Sequence, residues 1–121
     1  MDLNLFQTGK FKLHSGKTSN FKINCDALTD DDLETFAQLI SNNLDWNIVI
    51  GVPTGGKALA NKLVQYNNPK SINVLIVDDV LTTGASMEQY QFIDFVRIGV
   101  VIFARGPCPD WIAPIFQMWE K

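Results

Sequence analysis

The run Val74, Leu75, Ile76 and Val77 carries no polar side chain and stops at two adjacent carboxylates, Asp78 and Asp79. Val80 and Leu81 follow, then Thr82, Thr83, Gly84, Ala85 and Ser86. An uninterrupted β-branched and aliphatic run suits a strand covered on both faces of a parallel sheet. The polar groups after it then stand at the carboxyl end of that strand, where open α/β sheets bind their ligands.

Each part of the segment suits a sugar phosphate. Successive strand side chains point to opposite faces, so one carboxylate turns toward a ligand while the other faces the scaffold or reaches through water. Two acids with no basic neighbour suit ribose hydroxyls, or a hydrated magnesium ion that keeps most of its waters. The turn at residues 82–86 offers hydroxyls and approachable backbone N–H groups, and the chain beyond it can open a helix, which makes an anion site. An ordinary acidic turn explains the strand but not the order Asp-Asp-x-x-Thr-Thr-Gly.

In that order, residues 74–86 resemble the phosphoribosyl pyrophosphate (PRPP) motif of type I phosphoribosyltransferases. The resemblance implies that Asp78 and Asp79 contact the ribose hydroxyls and hold magnesium through water. It implies that Val80, Leu81, Thr82, Thr83, Gly84, Ala85 and Ser86 bind the 5-phosphate end.

A second glycine-rich turn repeats the logic. Asn47 to Val52 read as the first core strand, Pro53, Thr54, Gly55, Gly56 and Lys57 as the loop leaving it, and the chain from Ala58 to Val64 as a returning helix. Two anion-friendly loops on neighbouring strands can hold the two ends of one phosphorylated ligand. Thr54, Gly55, Gly56 and Lys57 resemble the pyrophosphate loop of the same family, with Lys57 placed to add a cation. A plain strand-to-helix turn is the other reading.

A chain of 121 residues, 46% hydrophobic, can bury one core and has no room for two ordinary domains. One unit, residues 1–121, is expected, with a core at 29–104 and hood or flap elements at 1–28 and 105–121. The formal charge of −3 and the lack of a basic cluster argue against a nucleic-acid partner. No apolar stretch approaches the length of a membrane span, and Cys25 and Cys108 form no Cys-x-x-Cys pair, so a cytoplasmic protein with reduced thiols is expected.

Phe11, Lys12 and Leu13, then Phe21, Lys22 and Ile23, alternate apolar with polar around a turn-rich segment, which reads as a hairpin. Gly16, Lys17 and Thr18 are not a P-loop, because that motif requires a glycine where this chain has Phe11. The segment instead resembles the amino-terminal flap of orotate phosphoribosyltransferases, which implies that Ser15, Gly16 and Lys17 line the base pocket. A solvated hairpin accounts for the same residues.

Thr29 and Asp32 have capping-box spacing, and Asp30 and Asp31 favour the same helix start, so this acidic run is structural. Leu33, Phe36, Ala37 and Ile40 form the buried stripe of that helix. Ile98 to Phe103 read as a third core strand, reached by a crossover with room for only a short helix around Met87. The tail carries Pro107, Pro109 and Pro114 and reads as a lid or hood segment. Trp111 there could stack on a base or close the core.

The expected fold is thus α/β, a minimal type I phosphoribosyltransferase-like arrangement with a short parallel sheet, flanking helices and a small hood from the termini. The implied function is transfer of ribose 5-phosphate from PRPP to a nucleobase, most like orotate, with magnesium and with release of pyrophosphate. Dimers are common in the resembling family, so a homodimer is compatible with it. One departure matters. The family carries a further strand and a long loop with a lysine between the two phosphate turns, and here only Lys62 and Lys70 lie in that interval, in no copy of the loop. A non-catalytic PRPP or nucleotide sensor is the alternative.

Overall fold

The computed structural model describes residues 6–12, 18–23, 27–81, 85–90 and 95–117, with the backbone alone for the first two stretches. Ser15, Gly16, Lys17, Thr82, Thr83 and Gly84 therefore lie outside the described residues. Strand β1 (Phe6–Lys12) pairs antiparallel with β2 (Thr18–Ile23), slipping register between Thr8 and Phe11. The expected hairpin is present.

Helix α1 (Asp30–Asn43) begins at the capping box the sequence spells out. The Asp32 N–H donates to Thr29 Oγ1 at 3.1 Å and the Thr29 N–H donates to Asp32 Oδ2 at 2.9 Å. Strands β3 (Ile48–Gly51), β4 (Asn73–Leu81), β5 (Val96–Ala104) and β6 (Ile112–Gln117) form one parallel sheet in that spatial order. Helix α2 (Lys57–Leu63) joins β3 to β4, and the one-turn helix α3 (Ala85–Glu88) lies between β4 and β5. No helix among the described residues is long and apolar enough to cross a membrane.

The sheet is covered on both faces. Ala37 and Ile40 of α1 and Leu59 and Leu63 of α2 pack with Leu75, Val77, Val100 and Ile102 on one face. Met87 of α3 packs with Val74, Ile76, Val101, Ala104 and Ile112 on the other. Alternate residues of β4 thus serve different cores, which explains its continuous apolar sequence. Trp46, fully buried just before β3, donates its indole N–H to Asn67 Oδ1 at 2.8 Å. Asn67→Ala leaves that donor without its partner and should cost about 1–3 kcal/mol in urea unfolding.

The face used by each connection fixes its hand. The strands advance in one direction across the sheet, yet α2 crosses on one face while α3 and the residues leading into β6, Cys108 and Trp111, pack on the other. The β3–α2–β4 crossover therefore has the opposite hand to β4–α3–β5. Since such crossovers are right-handed in nearly all sheets, one of the two departs from the rule. Residues 64–72, between α2 and β4, hold a single 3₁₀ turn (Val64–Tyr66) and a loop, with no added strand. A strand removed from that interval would leave its two neighbours joined in this way.

Two expectations need correction. Strand β4 does not end at its acids but runs on to Leu81, because β5 continues beside it after β3 has stopped at the Gly51–Val77 pair. The tail is not a hood over residues 112–117, which form edge strand β6. Pro107 and Pro109 precede that strand, and Pro114 within it is tolerated because an edge strand has one side without ladder partners.

Candidate functional site

The loop leaving β3 and the end of β4 touch. The Val52 N–H donates to the Val77 carbonyl at 2.9 Å, one step past the last β3–β4 pair. The chain then turns back, with the Gly56 N–H donating to the Val52 carbonyl at 2.8 Å and the Lys57 N–H to the Thr54 carbonyl at 3.3 Å. The Pro53–Thr54 peptide is cis. This turn presses Gly55 against the Asp79 side chain so closely that a β-carbon on Gly55 would overlap the carboxylate. A β-carbon on Gly56 would overlap the Val77 carbonyl and lie 2.7 Å from the Val52 nitrogen. Gly56 is required by space, because its neighbours are backbone atoms, whereas at Gly55 the obstacle is the end of a side chain.

Beside this contact lies a cavity of about 430 Å³. Its polar part is Thr54, Gly55 and Asp79, and its apolar wall is Leu28, Leu33, Ala58 and Ile102. The sequence reading missed the wall. Leu33 was legible as a packing residue of α1, but nothing in its spacing distinguishes the end of a core stripe from the side of a cavity.

The β4–β5 ladder is interrupted where Asp79 enters the cavity, with the same register on both sides of the gap. Pairing passes from Asp78–Val101 to Val80–Phe103 with no bridge at Asp79. Val77 and Val80 pack on the same face, as do Ile102 and Phe103, whereas strict alternation would separate each pair. The carboxylates take up N–H groups there: Asp79 N–H donates to Asp78 Oδ1 at 2.8 Å, and Val80 N–H donates to Asp79 Oδ1 at 2.7 Å. The two acids thus divide as alternation requires, with Asp79 lining the cavity and Asp78 half-buried behind it.

Burial, and then the hydrogen bond with Asp79, raise the Asp78 carboxyl from 3.8 to about 7. A group whose folded value lies above its unfolded value favours folding most below the unfolded value, and that contribution is lost as pH rises through the folded one. Asp78→Asn should therefore gain stability relative to the parent chain between about pH 4 and about pH 7, and hold that gain above it. Urea unfolding of both chains in chelator-treated buffer checks the sign.

The other expected residues separate into two groups. Thr54, Gly55 and Lys57 are exposed on the β3 loop and Gly56 is buried beneath it. Lys57 opens α2 and its ammonium has no ion-pair partner among the described residues. Ala85 and Ser86 are exposed at the start of α3. Leu81 is a correction, since its side chain is buried among Val74, Met87 and Ala104 and only its backbone could meet a ligand. Val80 likewise packs into the core on the α1 and α2 side.

Of the two readings of Trp111, stacking on a base or closing the core, its position fits the second. It packs on the face opposite the α1 and α2 layer and is not among the residues lining the cavity. Its ring lies against Gly99, where a side chain would collide with it. Closure of the core, and not contact with a base, describes its position.

No family model matches the chain, and no curated protein does. Solved structures do. Over 93% of this chain and 88% of the other, it matches orotate phosphoribosyltransferase from Aeropyrum pernix with a TM-score of 0.69 at 20% identity. The orotate phosphoribosyltransferase of Francisella tularensis matches with a TM-score of 0.61 at 19% identity, over 93% of this chain and 80% of that one. UMP synthase from Leishmania donovani matches with a TM-score of 0.69 at 16% identity, this chain covering 33% of its length. A parallel sheet flanked by helices and these alignments together establish that the chain has the fold of the orotate phosphoribosyltransferases.

Proposed function

We propose that the chain binds PRPP across the two turns and transfers its ribose 5-phosphate to a nucleobase, orotate being the acceptor its relatives in fold suggest, with release of pyrophosphate. The observation that carries this reading is the contact of Gly55 with the Asp79 carboxylate at the edge of one cavity. A ligand whose pyrophosphate rests on the first turn has its sugar hydroxyls beside Asp79. The exposed Thr54, Gly55 and Lys57 offer a hydroxyl, close backbone approach and a cation to the pyrophosphate, with Gly56 shaping the turn from below. Residues 82–86 grip the 5-phosphate.

As the bond from the anomeric carbon to pyrophosphate breaks, its electron pair leaves with the pyrophosphate, and a base nitrogen, giving up its proton to solvent, forms the new bond to carbon. Positive charge develops on the ring. The Asp79 carboxylate beside the ribose favours that charge, and Lys57 favours the departing anion. Among the described residues no three metal-ligating side chains cluster. Two carboxylates beside a phosphorylated ligand nevertheless suit magnesium, which usually enters such sites with a few carboxylates, waters and substrate phosphates. It would supply charge neutralisation at the pyrophosphate, and Asp78 and Asp79 would hold it through water.

A second reading is a PRPP or nucleotide sensor, favoured by one observation: the link at residues 64–72 is one 3₁₀ turn and a short loop, too brief for the long loop that brings a lysine to the leaving group in the resembling family. Losing a group that stabilises a departing anion costs on the order of a hundredfold in rate. Pyrophosphate release from PRPP, measured with a panel of bases, separates the readings. Release that depends on a base supports the transferase, and PRPP binding without release supports the sensor.

A further inference from the structure

Helix α3 has one turn, too short to hold itself, since isolated helices of even twelve residues are marginal in water. It begins with Ala85 and Ser86, the last residues of the second phosphate turn. What fixes it comes from outside. Arg97, on β5, donates from Nη1 to the Glu88 carbonyl at 3.2 Å and the Tyr90 carbonyl at 3.0 Å. Those contacts satisfy acceptors of the kind a helix C-terminus leaves orphaned. Its Nη2 pairs with Glu88 Oε2 at 3.3 Å, and the guanidinium carbon lies 3.8 Å from the centre of the Trp111 ring. Trp111 completes the set by donating its indole N–H to Glu88 Oε1 at 2.8 Å.

We infer that Arg97, Glu88 and Trp111 are positioning residues which clamp α3 to β5 and the β6 approach, and so hold Ser86 in place for the 5-phosphate. The inference rests on the proposed PRPP site. The arrangement is more than a surface ion pair, because one carboxylate receives both partners, the cation stacks on the second partner, and the same cation ties down two backbone carbonyls. None of the three lines the cavity beside Gly55. They touch α3, which begins with Ala85 and Ser86 of the second turn, and none belongs to the first turn, which separates the two ends of the ligand experimentally.

Calorimetry with two probes tests this, ribose 5-phosphate for the second turn and inorganic pyrophosphate for the first. Arg97→Met and Trp111→Phe should weaken ribose 5-phosphate by about tenfold or more while pyrophosphate affinity stays unchanged, since misplacing a binding group by an ångström is costly. Arg97→Lys, which keeps the ion pair, should fall between Arg97→Met and the parent. Equal loss for both probes means general destabilisation and overturns the clamp, as does no loss for either. If the parent chain binds neither probe, the PRPP reading itself fails and the clamp with it. Should Arg97→Met not fold, Trp111→Phe and Arg97→Lys carry the comparison.

Discussion

Gly55→Ala should weaken PRPP binding by about ten- to a hundredfold while leaving the chain folded, the range expected for lost hydrogen bonds to a charged group. The new methyl would occupy the space of the Asp79 carboxylate. That carboxylate is the end of a rotatable side chain and Gly55 is exposed, so the acid can swing aside at little cost to the fold. It then no longer faces the ribose hydroxyls. Asp79→Asn keeps the shape and loses the charge, so it should weaken binding by about tenfold. Paired with Asp78→Asn, it should abolish pyrophosphate release. Calorimetry for affinity and thermal unfolding for the fold check both halves, and a Gly55→Ala chain that binds PRPP normally would separate Asp79 from the ligand.

One residue further on, the same substitution should have the opposite outcome. Gly56→Ala drives a methyl into the Val77 carbonyl and the Val52 nitrogen, the two atoms whose 2.9 Å hydrogen bond joins the ends of β3 and β4. Neither backbone atom can rotate away. Either the bond breaks or β3 shifts from β4, at a cost of about 3 kcal/mol or more, a large share of the stability of a small domain. Urea unfolding should show a lower midpoint for Gly56→Ala than for Gly55→Ala, and equal midpoints would contradict the packing of the turn.

The reasons for what the sequence disclosed are physical and local. Thr29 and Asp32 could be read as a helix start because a capping box is a contact between near neighbours in sequence. Val74 to Val77 announced a doubly covered strand by lacking polar side chains, and the order of acids, threonines and glycine marked the end of it where we propose that the ligand binds. The Gly55–Asp79 contact was not legible, because it joins residues from different strands and depends on the register of β3 against β4. The strand at Ile112–Gln117 was hidden by its prolines, which argue against a helix but say nothing against an edge strand. Trp111 left base stacking and core closure open by its chemistry, and only its face of the sheet favours closure. The oppositely handed crossover at α2 fits the shortened interval between the turns, although no single residue signals it.

The account depends on both turns serving a single ligand. Calorimetric titration of the chain with PRPP and magnesium, followed by competition with pyrophosphate and with ribose 5-phosphate, tests this directly. One PRPP should bind per chain, and each fragment should be displaced by it. Absence of PRPP binding, or a fragment that stays bound when PRPP saturates the chain, would show that the two turns do not form one site.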